Sequence, residues 1–234
     1  MKNGIGQFQN ILLVGGTSEI GNSILECLPL IPNPKIFRVG KDISSDINLD
    51  LSSKIEPVNL EFIENLPDID VAIFASGILG KSPDLQNNDE VYQMAMVNFV
   101  NSILFINRVT AKMSLQGHGK IIVLSSVAAL RPRVENYIYG ATKSGLDFYV
   151  RGLQEQLRGS GVSALLVRPG FIHTKMTAGM AVAPFAIHPQ AVGIAVASAL
   201  VRGKSLVYVP RILKFVFVIL NFLPKSLFRK ITSR

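Results

Sequence analysis

Tyr139 and Lys143 stand four residues apart in the segment NYIYGATKSGLDFYV. The segment reads as a helix, and that spacing puts both side chains on one face, a turn apart. An ammonium beside a phenol favours the phenolate. A group with a reference pKa of about 10 is thereby brought toward use as a proton donor or acceptor near neutrality. Upstream, the apolar run Ile121–Leu124 ends in Ser125 and Ser126. A serine hydroxyl at the end of a neighbouring strand could hydrogen-bond the same substrate oxygen. The unit is one for moving a proton at an oxygen, and its reaction depends on the elements that position it.

The first of those elements is the run ILLV at 11–14, a buried strand, followed by the turn GGTSEIG and an amphipathic helix to about Leu28. Free backbone N–H groups and the helix dipole at such a strand–turn–helix junction make an anion site. A second strand, KIFRVG at 35–40, follows the proline-rich loop PLIPNP. A strand–helix–strand unit of this length has the form of a dinucleotide-binding motif. An acid at the end of that second strand would bind the ribose hydroxyls of NAD, whereas a base accommodates the 2′-phosphate of NADP. Positions 37–40 hold no acid, and Lys41 leans toward NADP, with Asp42 beside it. Asp50 and Leu51 end the next short segment, placed to lie across an adenine ring.

The strand DVAIFASG at 70–77 ends in Gly77, where a glycine lets a cofactor approach the backbone. Residues 90–116 read as a long helical segment holding Asn98 among the apolar Met96, Val97 and Phe99, which suits a buried, hydrogen-bonding amide. After the Tyr139 helix come a strand at 162–170 ending in Pro169-Gly170, a loop with Met176 and Met180, a helix at about 189–202 and a last strand, SLVYVP. The methionines suit either a flexible apolar substrate or core filling. Strand and helix alternate throughout, so the class is α/β with a doubly wound parallel sheet.

Composition sets the wider bounds. The chain has 234 residues, enough for one α/β domain, and 48% of them are apolar. A lone Cys27 excludes an internal disulfide framework and agrees with a reducing compartment. The N-terminal apolar run leads into a glycine turn rather than a cleavage site, so it is not a secretory signal, and a cytoplasmic or inner-membrane-surface location is expected. His118, His173 and His188 have no metal spacing. The net charge of +8 is uneven, for residues 156–234 hold 11 Lys/Arg and no acid after Glu155. An anionic partner is implied for this third, and the interleaving of bases with apolar residues favours lipid phosphate over nucleic acid. The tail at 211–234 runs from apolar Phe215–Leu220 to Lys225, Arg229, Lys230 and Arg234. It is far short of the ~20 apolar residues that cross a bilayer. It either packs on the domain at 1–210 or lies in a membrane interface.

The glycine turn, Asn98, Ser126, Tyr139/Lys143 and Pro169-Gly170, in this order, resemble the short-chain dehydrogenase/reductase family over nearly the whole chain. The resemblance implies a single Rossmann-type domain with about seven parallel strands, an NADH or NADPH cofactor, and oligomeric assembly. It assigns Tyr139 as proton donor and Ser126 as the catalytic serine. Lys143 becomes the group that lowers the tyrosine pKa and holds the nicotinamide ribose, and Asn98 the anchor of a water relay. It places Gly15, Thr17, Ser18, Ile20 and Gly21, then Lys41, Asp50, Leu51, Ala75 and Gly77, then Pro169, Gly170, Ile172 and Thr174, around the cofactor. Two departures stand out: Glu19 occupies the turn's middle glycine position, and FASG at 74–77 lacks the family's usual asparagine. The segments LLVGGTSEIG, SGILG, YGATKSGLDFY, VRPGFIHTKM and LPKSLFRK further resemble one branch. That branch reduces decaprenylphosphoryl-linked 2-keto-erythro-pentofuranose to the arabinofuranose used for cell-wall arabinan. The resemblance also implies a flavoprotein oxidase partner that makes the keto sugar.

Overall fold

A computed structural model describes residues 8–42, 44–80, 87–224 and 226–227. The basic residues Lys225, Arg229, Lys230 and Arg234, and the start of the N-terminal segment, lie outside the described residues. Seven strands form one parallel sheet: β1 (Phe8–Val14), β2 (Leu30–Gly40), β3 (Ile47–Asn48), β4 (Val71–Phe74), β5 (Gly119–Leu124), β6 (Val162–Pro169) and β7 (Leu206–Val209). Their order across the sheet is β3-β2-β1-β4-β5-β6-β7. The helices are α1 (Glu19–Cys27), α2 (Phe62–Asn65), α3 (Asn88–Ala95), α4 (Asn101–Gln116), α5 (Tyr137–Gln156), α6 (Pro189–Val201) and α7 (Ile212–Phe222).

The inner strands are unbroken apolar runs because both sheet faces are covered, as parallel sheets require. Alternate residues divide between two cores. Leu12, Val14, Ala72, Phe74, Ile121 and Val123 pack with Phe105, Ile106 and Val109 of α4 and Leu146 and Val150 of α5. Ile11, Leu13, Ile73, Ile122 and Val167 pack on the other face with Ile24 of α1 and Val192 and Val196 of α6. The chain winds outward in opposite directions from the β1/β4 pair. The crevice at the carboxyl ends of those strands is where such sheets bind ligands.

Two elements differ from the sequence reading. The proline segment belongs to β2 rather than to a loop, and it pairs with β1 through an irregularity that matches Phe8 to Leu30 but Asn10 to Lys35. Asn33 absorbs the extra length with φ of 56°. Prolines are tolerated because β3 pairs only with Val39 and Gly40, which leaves the rest of β2 an open edge. The long helix over 90–116 is broken by a π-helical turn at Met96–Val100. The run Asn88–Gln116 is long and apolar enough by composition to cross a membrane. It packs instead as a core helix, with Phe105, Ile106, Val109 and Met113 fully buried.

Candidate active site

The four loops that leave β1, β4, β5 and β6 emerge at one edge of the sheet, and each carries part of the site. After β5 the backbone is extended at Ser126 (φ −163°), whose hydroxyl caps the short turn Val127–Ala129 by accepting from the Ala128 N–H at 3.1 Å. Neighbouring Ser125 points the other way, its Oγ donating to Asp147 at 3.1 Å. The two adjacent serines are thus separated by the alternation of an extended strand, and it is Ser126 that stands near enough to the Tyr139 phenol to favour its ionised form.

Tyr139 and Lys143 share a face of α5, with the ammonium 5.9 Å from the centre of the phenol ring. Lys143 is 3% exposed, and its Nζ donates to the Leu124 carbonyl at 2.9 Å. The phenol does not behave as the Tyr–Lys spacing predicts. Burial pushes Tyr139 up to about 12, with the Ser126 hydroxyl working in the opposite direction. The same burial pulls Lys143 down to about 8. Desolvation disfavours whichever form is charged, so in this pocket it moves the two groups toward their neutral forms. At neutral pH the site holds a protonated phenol and an ammonium close to its titration point.

Asn98 ties the tyrosine helix to the end of β4. It is wholly buried in the π turn, accepts from the Ile78 N–H at 2.8 Å, and donates to the Ile78 carbonyl at 2.8 Å and to Thr142 Oγ1 at 3.2 Å. Thr142 in turn donates to the Tyr139 carbonyl at 2.8 Å. Gly77 makes this convergence possible, because a Cβ there would sit 3.3 Å from Asn98 Oδ1 and 3.5 Å from Lys143 Nζ. The glycine expected to admit a cofactor therefore also admits two side chains of the site.

The turn after β1 fits a dinucleotide phosphate. Gly15 has φ of +91°, and a Cβ on it would press into Ser76 N at 2.7 Å. Gly21 packs α1 on β1 and on Ala75, with room for no side chain. Ser18 caps α1 by accepting from the Gly21 N–H. The first-turn N–H groups of Glu19 and Ile20 have no acceptor within the helix, which leaves them for an anion. Two buried hydroxyls, Ser45 and Ser76, have no hydrogen-bond partner among the described residues. Both stand beside the glycines, Ser76 at Gly15 and Ser45 at Gly16. Glu19 does not face that space. Its carboxylate is exposed and accepts from the Lys175 N–H at 2.7 Å, joining α1 to the loop after β6.

The remaining expected residues fall into place unevenly. Thr17 and Lys41 are exposed, and Thr17 Oγ1 donates to Asp42 at 2.8 Å. Asp50 accepts from the N–H and hydroxyl of Ser52, which hold its carboxyl below the usual range. Leu51 is buried in the core with Val39 and Val97. Pro169 ends β6, Gly170 follows it, and Ile172 is buried and bridges to Ile187. Thr174 caps the turn Lys175–Thr177. Met176 and Met180 are close to half exposed, so they do not fill core.

Three residues escaped the sequence reading. Arg38 reaches from β2 to the glycine turn, donating to the Gly16 carbonyl at 3.2 Å and to Asn22 Oδ1 at 2.7 Å. Asp147, one turn beyond Lys143, receives a bidentate pair from Arg168 at 2.8 and 2.7 Å. Both are buried, and Arg168 also donates to the Tyr208 hydroxyl. Burial works against the Arg168 charge, but Asp147 and Tyr208 outweigh it and hold the guanidinium above its ordinary value. This pair pins α5 to the strand that delivers Pro169-Gly170. The open groove between α4 and α5, lined by Phe99, Ile103, Phe148 and Tyr149, includes none of these residues.

The chain is similar to known proteins over much of its length. Residues 41–182 match the family model described as short chain dehydrogenase. An uncharacterized oxidoreductase of Mycobacterium tuberculosis is 40% identical over 164 residues, a match that covers 69% of this chain and 66% of that relative. An uncharacterized oxidoreductase of Streptomyces coelicolor is 29% identical over 248 residues and covers 98% of both. Among solved structures, a short chain dehydrogenase of Burkholderia cenocepacia in complex with NADP superposes with a TM-score of 0.75. It is 20% identical, over 86% of this chain and 88% of that one.

Proposed function

Since this chain belongs to the short chain dehydrogenase family of oxidoreductases, we propose that it uses NADH or NADPH to reduce the ketone of a large, lipid-linked substrate. The observation that carries the reading is the convergence of Ser126, Tyr139 and Lys143 beside a phosphate-ready glycine turn. The cofactor supplies a hydride, and the residues of the chain handle the oxygen. Ser126 and Tyr139 hydrogen-bond the carbonyl and hold it in place. As negative charge develops on that oxygen, the Tyr139 hydroxyl donates its proton. Lys143 stabilises the resulting tyrosinate and, being proton-loaded near neutrality, restores the phenol. Arg38, which reaches the glycine turn, and Lys41, just past the end of β2, favour the 2′-phosphate of NADPH, with Asp42 the opposing charge beside Lys41.

The substrate we infer is the decaprenylphosphoryl 2-keto-pentofuranoside, reduced at C2 to the arabinofuranoside, with a flavoprotein oxidase as the supplier of the keto sugar. Its support is chemical: an anionic head and an apolar tail match a C-terminal third without acids and with exposed Met176, Met180 and Phe185. Those exposed apolar side chains favour, as a second reading, another bulky apolar ketone.

The test is NADPH consumption by purified protein with the lipid-linked keto sugar and with small hydrophobic ketones. Turnover of the ketones alone refutes the sugar and leaves the reductase standing. Tyr139→Phe is expected to keep cofactor binding and lose turnover by about 100-fold or more. Undiminished turnover in that variant refutes the proton-donor role.

A further inference from the structure

Helix α7 carries two apolar stripes. Leu213, Val216, Phe217 and Leu220 pack on Val127, Leu130 and Tyr208. On the opposite side Phe215, Val218, Ile219 and Phe222 are exposed by 63, 51, 64 and 85%. Their spacing is i, i+3, i+4, i+7, which is itself the pattern of a packing face. The outward side of a surface helix is ordinarily polar, but here only Lys214 and Asn221 interrupt it.

We propose that this second stripe docks α7 into the surface of an anionic lipid bilayer. The charge around it is complementary. Arg211 and Lys214 are exposed at its start, Lys225, Arg229, Lys230 and Arg234 follow in the sequence, and no acid occurs after Glu155. A second copy docking through α7 would set one basic segment without acids against another, whereas an anionic leaflet attracts it. The helix has 11 residues, about 16 Å at 1.5 Å per residue, roughly half the bilayer core. It therefore lies in the interface instead of crossing it.

The position of α7 gives the docking a purpose. The helix packs on Val127, next to Ser126. A Cβ at Gly170 would come within 2.5 Å of Leu213 Cδ1, so the helix also covers the turn after β6. With the outer stripe in the lipid, the turn that follows Ser126 is held against the membrane-bound helix. The stripe and its charge would act in this way whichever ketone is reduced.

The experiment uses the full chain and vesicles of phosphatidylcholine with and without phosphatidylglycerol, separated by sedimentation. The wild type is expected on the anionic vesicles and to be released by salt. Phe215→Ser with Phe222→Ser removes two large apolar groups from exposed positions and should weaken binding by tenfold or more, roughly. Turnover of a small soluble ketone should be unchanged. Absence of wild-type binding, equal binding to neutral vesicles, or undiminished binding by the double variant overturns the proposal. So does a fall in solution mass in the double variant with vesicle binding intact, which would give the stripe to a second copy.

Discussion

Replacing Asp147 by Asn tests whether the buried ion pair is what seats the tyrosine helix. The substitution keeps the shape but removes the charge, and it turns an amide donor toward groups that already donate. Arg168 is 6% exposed and loses the carboxylate that takes two of its hydrogen bonds. Ser125 loses an acceptor as well. Stranding a buried charge in this way costs about 3–5 kcal/mol, a large share of the roughly 5–15 kcal/mol that holds a domain together. With a urea slope of about 3 kcal/mol/M, the unfolding midpoint should fall by roughly 1–1.7 M. Adding Arg168→Met should recover part of the loss, because it removes the stranded charge. A midpoint shift below about 0.3 M, or a double variant as unstable as the sum of the singles, would refute the reasoning.

Lys143 titrates near 8, so the rate of ketone reduction should fall tenfold per pH unit above about 8, read from a pH–rate profile; a flat profile to pH 10 contradicts the relay. The sign for stability is opposite. Between about 8 and 10.5 the unfolded chain holds the Lys143 proton that the folded chain has released, so this group makes folding more favourable as pH rises. Lys143→Met should therefore lose stability relative to wild type by about 3 kcal/mol across that window in denaturant titrations. Asn98→Ala leaves the Ile78 N–H and carbonyl unpaired, costing about 2–4 kcal/mol and exposing the Ile78 amide to hydrogen exchange. Glu19→Ala should speed exchange of the Lys175 amide roughly tenfold while Glu19→Gln keeps most of the protection.

The parts of this molecule legible in the sequence are those written in short range. The ILLV run, the glycine turn and the Tyr139–Lys143 spacing each fit within one element, and their geometry follows from the period of that element. Arg38, Asp147 and the link from Glu19 to Lys175 were not legible because the partners lie far along the chain. Arg168 is 21 residues beyond Asp147, and Lys175 is 156 beyond Glu19. The Tyr139 pKa went astray for a related reason: spacing reveals the neighbouring lysine but not the depth of the pocket, and here depth decides the sign. β2 began earlier than expected because an open edge tolerates Pro32 and Pro34, and whether a strand is an edge is a property of the finished sheet.

The π turn at Met96–Val100 has a cost and a use. Ser102, just after it, donates its hydroxyl to the Val97 carbonyl at 2.8 Å, a side-chain bond added to the backbone ladder. One residue is worth about 100° of rotation, so the insertion re-phases everything before it relative to α4. Deleting a residue there would heal the helix and swing Asn98 away from Ile78. The shortened protein would be sturdier along α4 and a poorer catalyst, which makes the irregularity a place where regularity has been traded for reactivity.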